Sequence, residues 1–335
     1  MENTRFYVKV AHWYYTLGLT QDEIARRLGT TRQRVNRIIS ELTEYGIVTT
    51  QVNGYTESNV KIEAALEERF GLGRVIMAET YGEASFLPML AECGARYLEE
   101  IIQPHSTIGV SWGGTLAAVI ARMSFMNRGM CRVIQMVGAQ NMDLDKLKSD
   151  EIARALANRL DCGCQMLYSP VVVEHPETKN WLMQESVIRK LFGNMAQCDI
   201  ALLGIGQLSA SSTMVERGIF SEEDAADLRK RGFVGDICVN PVRIDGNWKD
   251  CPLRDRIITA DMEVLAKIPN VVAVAGGADK TEAIVACLRS GVINTLIIDD
   301  ATANAIYRMI PEEKGKPQPA ENGAVRHRRN AGDRP

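Results

Sequence analysis

The chain lacks any apolar run approaching the roughly 18 residues that a membrane-spanning helix needs, so no such helix is expected in its 335 residues. It lacks a basic excess. Lys and Arg number 39 against 42 Asp and Glu, a formal charge of −3. A chain basic throughout is thereby excluded, and any nucleic-acid surface must be a local patch. It lacks a CxxC pair and any Cys/His cluster with zinc-finger spacing. Its eight cysteines (Cys93, Cys131, Cys162, Cys164, Cys198, Cys238, Cys251, Cys287) read as small buried hydrophobes in a reducing compartment. The four histidines lie far apart, so neither a metal site nor a bound cofactor is expected. The opening residues MENTRFYVKVAHWYY are interrupted by polar groups and lack a small-residue cleavage site. They do not read as a signal peptide, and a cytoplasmic location is expected.

What is present is enough apolar material for about two domains, with 46% apolar and 24% charged residues. Three zones differ in composition. Residues 1–55 are helix-patterned and rich in arginine, and residues 73–310 alternate strand-like with helix-like runs. The segment 56–72, containing VKIEAALEERF, is a candidate linking helix that pairs two copies. Residues 311–335 are poor in large apolar side chains and rich in Pro, Gly and charge, the composition of a disordered tail.

In the first zone a helix is expected from about Arg5 to Leu17, stopping at Gly18. Thr20 then precedes QDEIARRL and Gly29, with Glu23 placed to complete a capping box. A third helix opens at Thr30 or Thr31 and runs to Gly46, with Val35, Ile38, Ile39 and Leu42 as its buried stripe. Between Ile24 and Ser40 stand five arginines (Arg26, Arg27, Arg32, Arg34, Arg37) and no acid, a local charge of +5. Two short helices joined by a tight turn, the second basic at its N-terminus, make a helix-turn-helix. A helix fits the major groove of DNA with its N-terminal side chains at the base edges. Arg bridges guanine, and Asn and Gln pair with adenine. The candidate contacts to double-stranded operator DNA are Gln21, Thr31, Arg32, Gln33, Arg34, Asn36 and Arg37. The alternative is an ordinary solvated basic face. IVTTQV, residues 47–52, alternates like a strand and is a candidate wing.

In the large zone strands are expected at 74–79, 106–110, 131–138, 164–169, 198–204, 237–244, 270–276 and 295–299. Helices are expected at 84–103, 114–124, 149–160, 179–192, 221–231, 261–267, 279–290 and 301–309. This alternation implies an α/β domain with a doubly wound, mostly parallel sheet. Ligands of such sheets bind at the carboxyl ends of the strands. Three glycine-bearing loops fall there. The first, Ser111-Trp112-Gly113-Gly114-Thr115, combines backbone N–H groups, two hydroxyls and a flat indole that can pack on a sugar ring. It has neither the Lys of a Walker loop nor the spacing of a dinucleotide fingerprint, which disfavours a flavin or nicotinamide enzyme. The second, Gly276-Gly277, is followed by Lys280, a cation near a helix N-terminus that makes sense with an anion between them. The third is Gly206-Gln207. Asp236, read as lying where a strand begins, can accept hydrogen bonds from ligand hydroxyls or serve as a turn residue.

The order helix-turn-helix, GVSWGGTL, GIGQ, GFVGDICVNPVRIDG and VVAVAGGADKTEAIVACLRSGVINTLIIDDATANAI resembles the SorC family of sugar-responsive bacterial transcription regulators, over about residues 5–310. The resemblance implies a winged helix-turn-helix fused to an effector domain similar to sugar-phosphate isomerases and deaminases. It implies a phosphorylated sugar or polyol as effector, and assembly as a dimer or tetramer. It also places phosphate binding at Ser111–Thr115 and Lys280, and ligand hydroxyls at Asp236. The chain reads GFVGD where many relatives read GAVGD. Two functions remain open at this point. One is a DNA-binding regulator under effector control. The other is a sugar-phosphate isomerase or deaminase with an accessory helical N-terminus, although no acid/base pair stands in the glycine loops.

Overall fold

The computed structural model describes residues 2–48, 57–80, 85–139, 148–209 and 213–310. They form two compact units that divide between Ser58 and Asn59.

The first unit holds α1 (Glu2–Ala11), α2 (Gln21–Leu28) and α3 (Arg32–Glu44). Where one helix is expected to Leu17, the structure continues α1 as a wider turn at His12–Thr16, closed by the Leu17 N–H on the His12 carbonyl at 3.0 Å. The expected capping box is present: the Thr20 hydroxyl accepts from the Glu23 N–H, and the Glu23 carboxylate accepts from the Thr20 N–H. Gly29 ends α2 in the left-handed region at φ 62°, which suits glycine. The Thr31 hydroxyl accepts from the Arg34 N–H and opens α3. Val10, Ile24, Ala25, Val35 and Ile38 form the core, with Trp13 and Leu28 packed against it. Of the candidate wing, Ile47 and Val48 donate to the Leu42 carbonyl, and residues 49–52 lie outside the described residues.

Helix α4 (Glu57–Phe70) crosses the division, and the second unit continues with β1 (Arg74–Ala78), α5 (Leu87–Ile101), β2 (Thr107–Val110), α6 (Gly114–Arg122) and β3 (Arg132–Gln135). There follow α7 (Ser149–Leu160), β4 (Gly163–Gln165), α8 (Pro176–Gln184), α9 (Ser186–Met195), β5 (Ile200–Gln207), α10 (Thr213–Glu216) and α11 (Glu222–Lys230). It ends with β6 (Phe233–Ile237), β7 (Asn240–Arg243), α12 (Met262–Leu265), β8 (Asn270–Ala275), α13 (Thr281–Arg289), β9 (Thr295–Asp299) and α14 (Asp300–Met309). The sheet order is β1-β9-β8-β5-β2-β3-β4, parallel throughout. The central strands are buried on both faces, so they read as continuous apolar runs; β9 is buried at every position. From β2 the chain winds outward through β3 to β4, and from β5 it winds the other way through β8 to β9. The switch point lies between β2 and β5.

Two sequence expectations are corrected. The expected strand 237–244 is an antiparallel hairpin of β6 and β7, hung on the far end of β5. Its turn residues Cys238 and Val239 both have positive φ (53° and 63°), as a tight hairpin of this hand demands. The Asn240 amide steadies the turn by donating to the Ile237, Cys238 and Ala260 carbonyls. The expected helix 179–192 is two helices, because Glu185 is extended (φ −62°, ψ 129°) and breaks the ladder between α8 and α9.

At the sheet edge, α4 is fastened to β1. Ile62 and Leu66 enter the core. The Glu67 and Glu63 carboxylates accept the outward N–H groups of Val75 and Met77, each at 2.8 Å. These carboxylates occupy donors that would otherwise offer an open strand edge to another chain.

The capping box sets a first prediction. Thr20→Ala should weaken the first unit by about 1 kcal/mol, read as faster amide exchange across α2 with exchange in the β-sheet unchanged.

Candidate functional site

On α3, the structure sorts the arginines by what they touch. Arg37 is turned along its own helix, with Nε 2.9 Å from the Glu41 carboxylate, which also accepts from the Tyr7 hydroxyl at 2.8 Å. Those two hydrogen bonds hold the Glu41 carboxyl below its ordinary range. Arg32 lies 3.7 Å from Asp22, both well exposed, a pair of little energetic weight. Arg27 stands over the Trp13 ring at 5.7 Å. The Gln21 amide donates to the Asn36 side-chain oxygen at 3.1 Å, which fixes Asn36 with its own NH₂ left to donate. Thr31 is occupied as a helix cap, as described above. Gln33 and Arg34 are exposed, and among the described residues neither side chain has a hydrogen-bond or ion-pair partner. The first two turns of α3 therefore present an amide and a guanidinium to solvent, beside a pre-set Asn36. That donor set matches the edges of purines in the major groove.

In the second unit, the loops after β2, β5 and β8 stand side by side, because those strands are neighbours at the switch point. Ser111 is buried, and its N–H donates to the Leu202 carbonyl of β5 at 3.0 Å. Trp112 is nearly buried beneath the Arg217 guanidinium, 4.8 Å above the ring. Gly113 caps α6 at φ 134°, ψ 154°, and among the described residues no side chain takes the first N–H groups of that helix. A Cβ at Gly113 or Gly114 would meet nothing within 4 Å, so open space faces the α6 N-terminus, where Thr115 adds a half-buried hydroxyl. Uncapped N–H groups at a helix start favour an anion.

Gly206 pairs with Asp236 across β5 and β6, and Gln207 pairs with Gly235. A Cβ at Gly206 would lie 1.9 Å from Asp236 Oδ1, so only glycine fits there. Asp236 lies near the end of β6, not where a strand begins. Its carboxyl is buried; Oδ2 accepts the Val239 N–H at 3.2 Å, and Oδ1 has no hydrogen-bond partner among the described residues. Burial pushes its pKa up to about 7, against the opposing pull of the Val239 N–H and of the Lys280 ammonium nearby. Lys280 is half-buried at the start of α13, and among the described residues its ammonium has no ion-pair partner.

The glycines before Lys280 do something different from an open amide loop. The Gly277 N–H is shared between Asp299 Oδ2 and the Thr302 hydroxyl, both at 3.0 Å. Gly276 packs so closely on Asp299 and Phe86 that a Cβ would lie 2.4 Å from the Asp299 carboxylate. This pair weds β8 to the β9–α14 junction, and Lys280 is what the loop offers to a ligand.

Sequence reasoning missed a cleft of about 300 Å³ on the same carboxyl edge, between residues 170–174 and 218–221. None of the candidate DNA or effector contacts lines it; Ser221 and Asp224, which do, mark the start of α11 as a capping pair, with the Ser221 hydroxyl accepting from the Asp224 N–H at 3.0 Å. No group of three metal-ligating side chains occurs among the described residues, and none of their helices is long and apolar enough to cross a membrane.

The family model described as "Putative sugar-binding domain" matches residues 55–308, and that of the Crp-like helix-turn-helix domain matches residues 7–69. The chain belongs to the SorC family of transcription regulators. The sorbitol operon regulator of Klebsiella pneumoniae is 27% identical over 92% of this chain and all of its own length. The crystal structure of the full-length sorbitol operon regulator from Klebsiella pneumoniae is alike in fold, with a TM-score of 0.70 and 24% identity over 90% of this chain and 98% of that one. A DeoR family transcriptional regulator from Listeria monocytogenes is 31% identical with a TM-score of 0.69, over 75% of this chain and all of its own. Membership decides between the two functions left open by the residues: this SorC-family chain is a transcription regulator with a helix-turn-helix.

Asp236 sets the second prediction. Its folded pKa lies above the ordinary value of 3.8, so the folded state keeps a proton that the unfolded state releases. The contribution of this group to stability is then greatest in acid and falls as pH rises from about 4 through about 7. Asp236→Asn should flatten that decline in urea titrations between pH 5 and pH 8; a variant with the wild-type slope refutes the assignment.

Proposed function

We propose that this regulator binds an operator through α3 and that a phosphorylated sugar or polyol at the β2/β5/β8 edge sets its affinity. The observation that carries the reading is the uncapped, open start of α6 beside a strand edge that also supplies Lys280. The N–H groups of Gly114 and Thr115, the hydroxyls of Ser111 and Thr115, and Lys280 would hold the phosphate. Asp236, whose Oδ1 has no hydrogen-bond partner among the described residues, would accept from a hydroxyl, and Gln207 and Trp112 would flank the ligand. Gly206 would serve the site by making room for the Asp236 carboxyl, and Gly276 and Gly277 by fixing the loop that carries Lys280. In DNA, Gln33, Arg34 and Asn36 would read bases, while Gln21, Thr31, Arg32 and Arg37 would set register on phosphates.

Residues 1–55 would act as the DNA-binding domain, 56–72 as the linking helix and 73–310 as the effector domain. Two copies would present two recognition helices to two half-sites, as a helix-turn-helix dimer does. The effector changes operator affinity only through unequal affinity for two conformations of the protein. A cytoplasmic setting suits a ligand made inside the cell.

Two measurements test this. Anisotropy titrations on the DNA upstream of its own gene should show affinity falling on the order of 10³-fold between 50 and 200 mM salt, for about six phosphate contacts. Arg34→Ala should cost ~1–3 kcal/mol and relax the preference at one base pair, while Arg37→Ala should cost less and leave preference intact. In thermal-shift screens, phosphorylated sugars should stabilise the protein by ~2.7 kcal/mol at a hundredfold excess over Kd. Unphosphorylated sugars should not, and Lys280→Ala should abolish the effect. Equal response to both sugar classes, or absence of specific binding to the upstream DNA, refutes the corresponding half.

A further inference from the structure

The cleft on the carboxyl edge is marked by no motif, yet its chemistry is specific. Its volume of about 300 Å³ would hold roughly ten waters. One wall is the extended run beyond β4 that brings Pro170, Val171 and Val173; the facing wall, between α10 and α11, brings Ile219. Two side chains, Asp224 and Arg256, supply its inner polar groups. Arg256 donates from Nε to the Val173 carbonyl at 2.9 Å and pairs with Asp224 at 3.2 Å, both largely buried. Glu174 is exposed at the margin. The lining thus carries one guanidinium, already paired, and two carboxylates. A phosphate has no reason to enter: it would meet a net negative wall and a cation whose charge is spent.

What fits is a neutral body with C–H faces for the valine and isoleucine wall and hydroxyls to donate to the carboxylates. The cleft also adjoins the anion-holding edge through one short connection. Gly218 lines the cleft, and the preceding residue, Arg217, lies over Trp112 in the loop after β2. We infer that this cleft receives the neutral, hydroxyl-bearing end of the effector, with Asp224, steadied by Arg256, accepting from its hydroxyls. This rests on the phosphate end sitting at Ser111–Thr115 and Lys280, as proposed above.

Calorimetry on the full chain with inorganic phosphate, glycerol 3-phosphate and sorbitol 6-phosphate tests it. Wild-type affinity should rise along that series as hydroxyl-bearing carbons are added. Ile219→Trp, which fills the cleft, should remove most of the gain. Asp224→Asn, which keeps the shape, should weaken sorbitol 6-phosphate by about tenfold, as expected for one hydrogen bond to a charged group, and leave inorganic phosphate unchanged. Lys280→Ala should weaken all three together. The inference is overturned if the three probes bind wild type alike or not at all, or if both cleft variants bind sorbitol 6-phosphate as wild type does. If instead Lys280→Ala changes nothing while the cleft variants lose sorbitol 6-phosphate, the phosphate reading fails and the cleft stands as the hydroxyl site.

Discussion

A buried carboxyl with one oxygen unpartnered among the described residues is the constraint around which the proposed effector edge of this chain is arranged. Asp236 can sit where it does only because Gly206 has no side chain and because the Cys238–Val239 turn brings an N–H to its other oxygen. Burying such a group without satisfying it costs roughly 1–3 kcal/mol or more. A protein keeps that cost where a ligand later supplies the missing partner, which fits a hydroxyl donor at Oδ1. The hairpin β6–β7, a departure from the parallel pattern, is the device that carries the carboxyl to the switch point between β2 and β5.

The helix-turn-helix follows a different electrostatic logic. Five arginines within one short stretch repel one another unless some are engaged. The structure engages Arg37 through Glu41 and Arg27 through the face of Trp13, and Arg32 only loosely through the exposed Asp22. Arg26 and Arg34 keep charges that no ion pair takes up among the described residues. The +5 visible in the sequence is thus divided between charge held against the protein and charge presented to solvent. Only the second kind is free to meet a base edge without first breaking an internal contact.

Much of this was legible from residue patterns, and the failures have physical causes. The capping box at Thr20, the glycine stops and the continuous apolar strands are local signals, and each appears where expected. The β6–β7 hairpin was not legible. Its turn is Cys238-Val239, and a β-branched valine at positive φ carries none of the Asn-Gly chemistry that announces such a turn. It is held by the Asn240 amide and by Asp236, contacts made only after folding. The break at Glu185 is likewise tertiary, since no glycine or proline marks it. At the site, the three glycine loops fall on one edge because alternation implies parallel strands, whose carboxyl ends share an edge; that β2, β5 and β8 are neighbours comes from the strand order, which no local pattern carries. The packing of Gly276 and Gly277 on Asp299 was not legible, because a glycine that admits a ligand and one that admits a neighbouring carboxylate look the same in sequence. The cleft was invisible for a further reason: Val171, Ile219, Asp224 and Arg256 are common residues with no spacing rule to connect them.

How a ligand at the proposed site would act on the helix-turn-helix is constrained by what is rigidly joined. The Gly277 N–H is bound to Asp299 at the end of β9, and β9 pairs along its length with β1. β1 is in turn tied through two backbone N–H groups to Glu63 and Glu67 of α4, the helix that leads out of the first unit. Each link is a hydrogen bond or a strand ladder, so a shift at the Gly276–Lys280 loop has a stiff route to α4 and a soft one to solvent. A route alone does not make a switch. Coupling requires two arrangements that the ligand binds unequally, and moving a population from 1:99 to 99:1 takes about 5.5 kcal/mol of that inequality. The groups able to supply it are those whose environment a ligand would change most: among the described residues, a lysine with no ion-pair partner, a buried carboxyl with one oxygen lacking a donor, and a helix start with no side-chain cap.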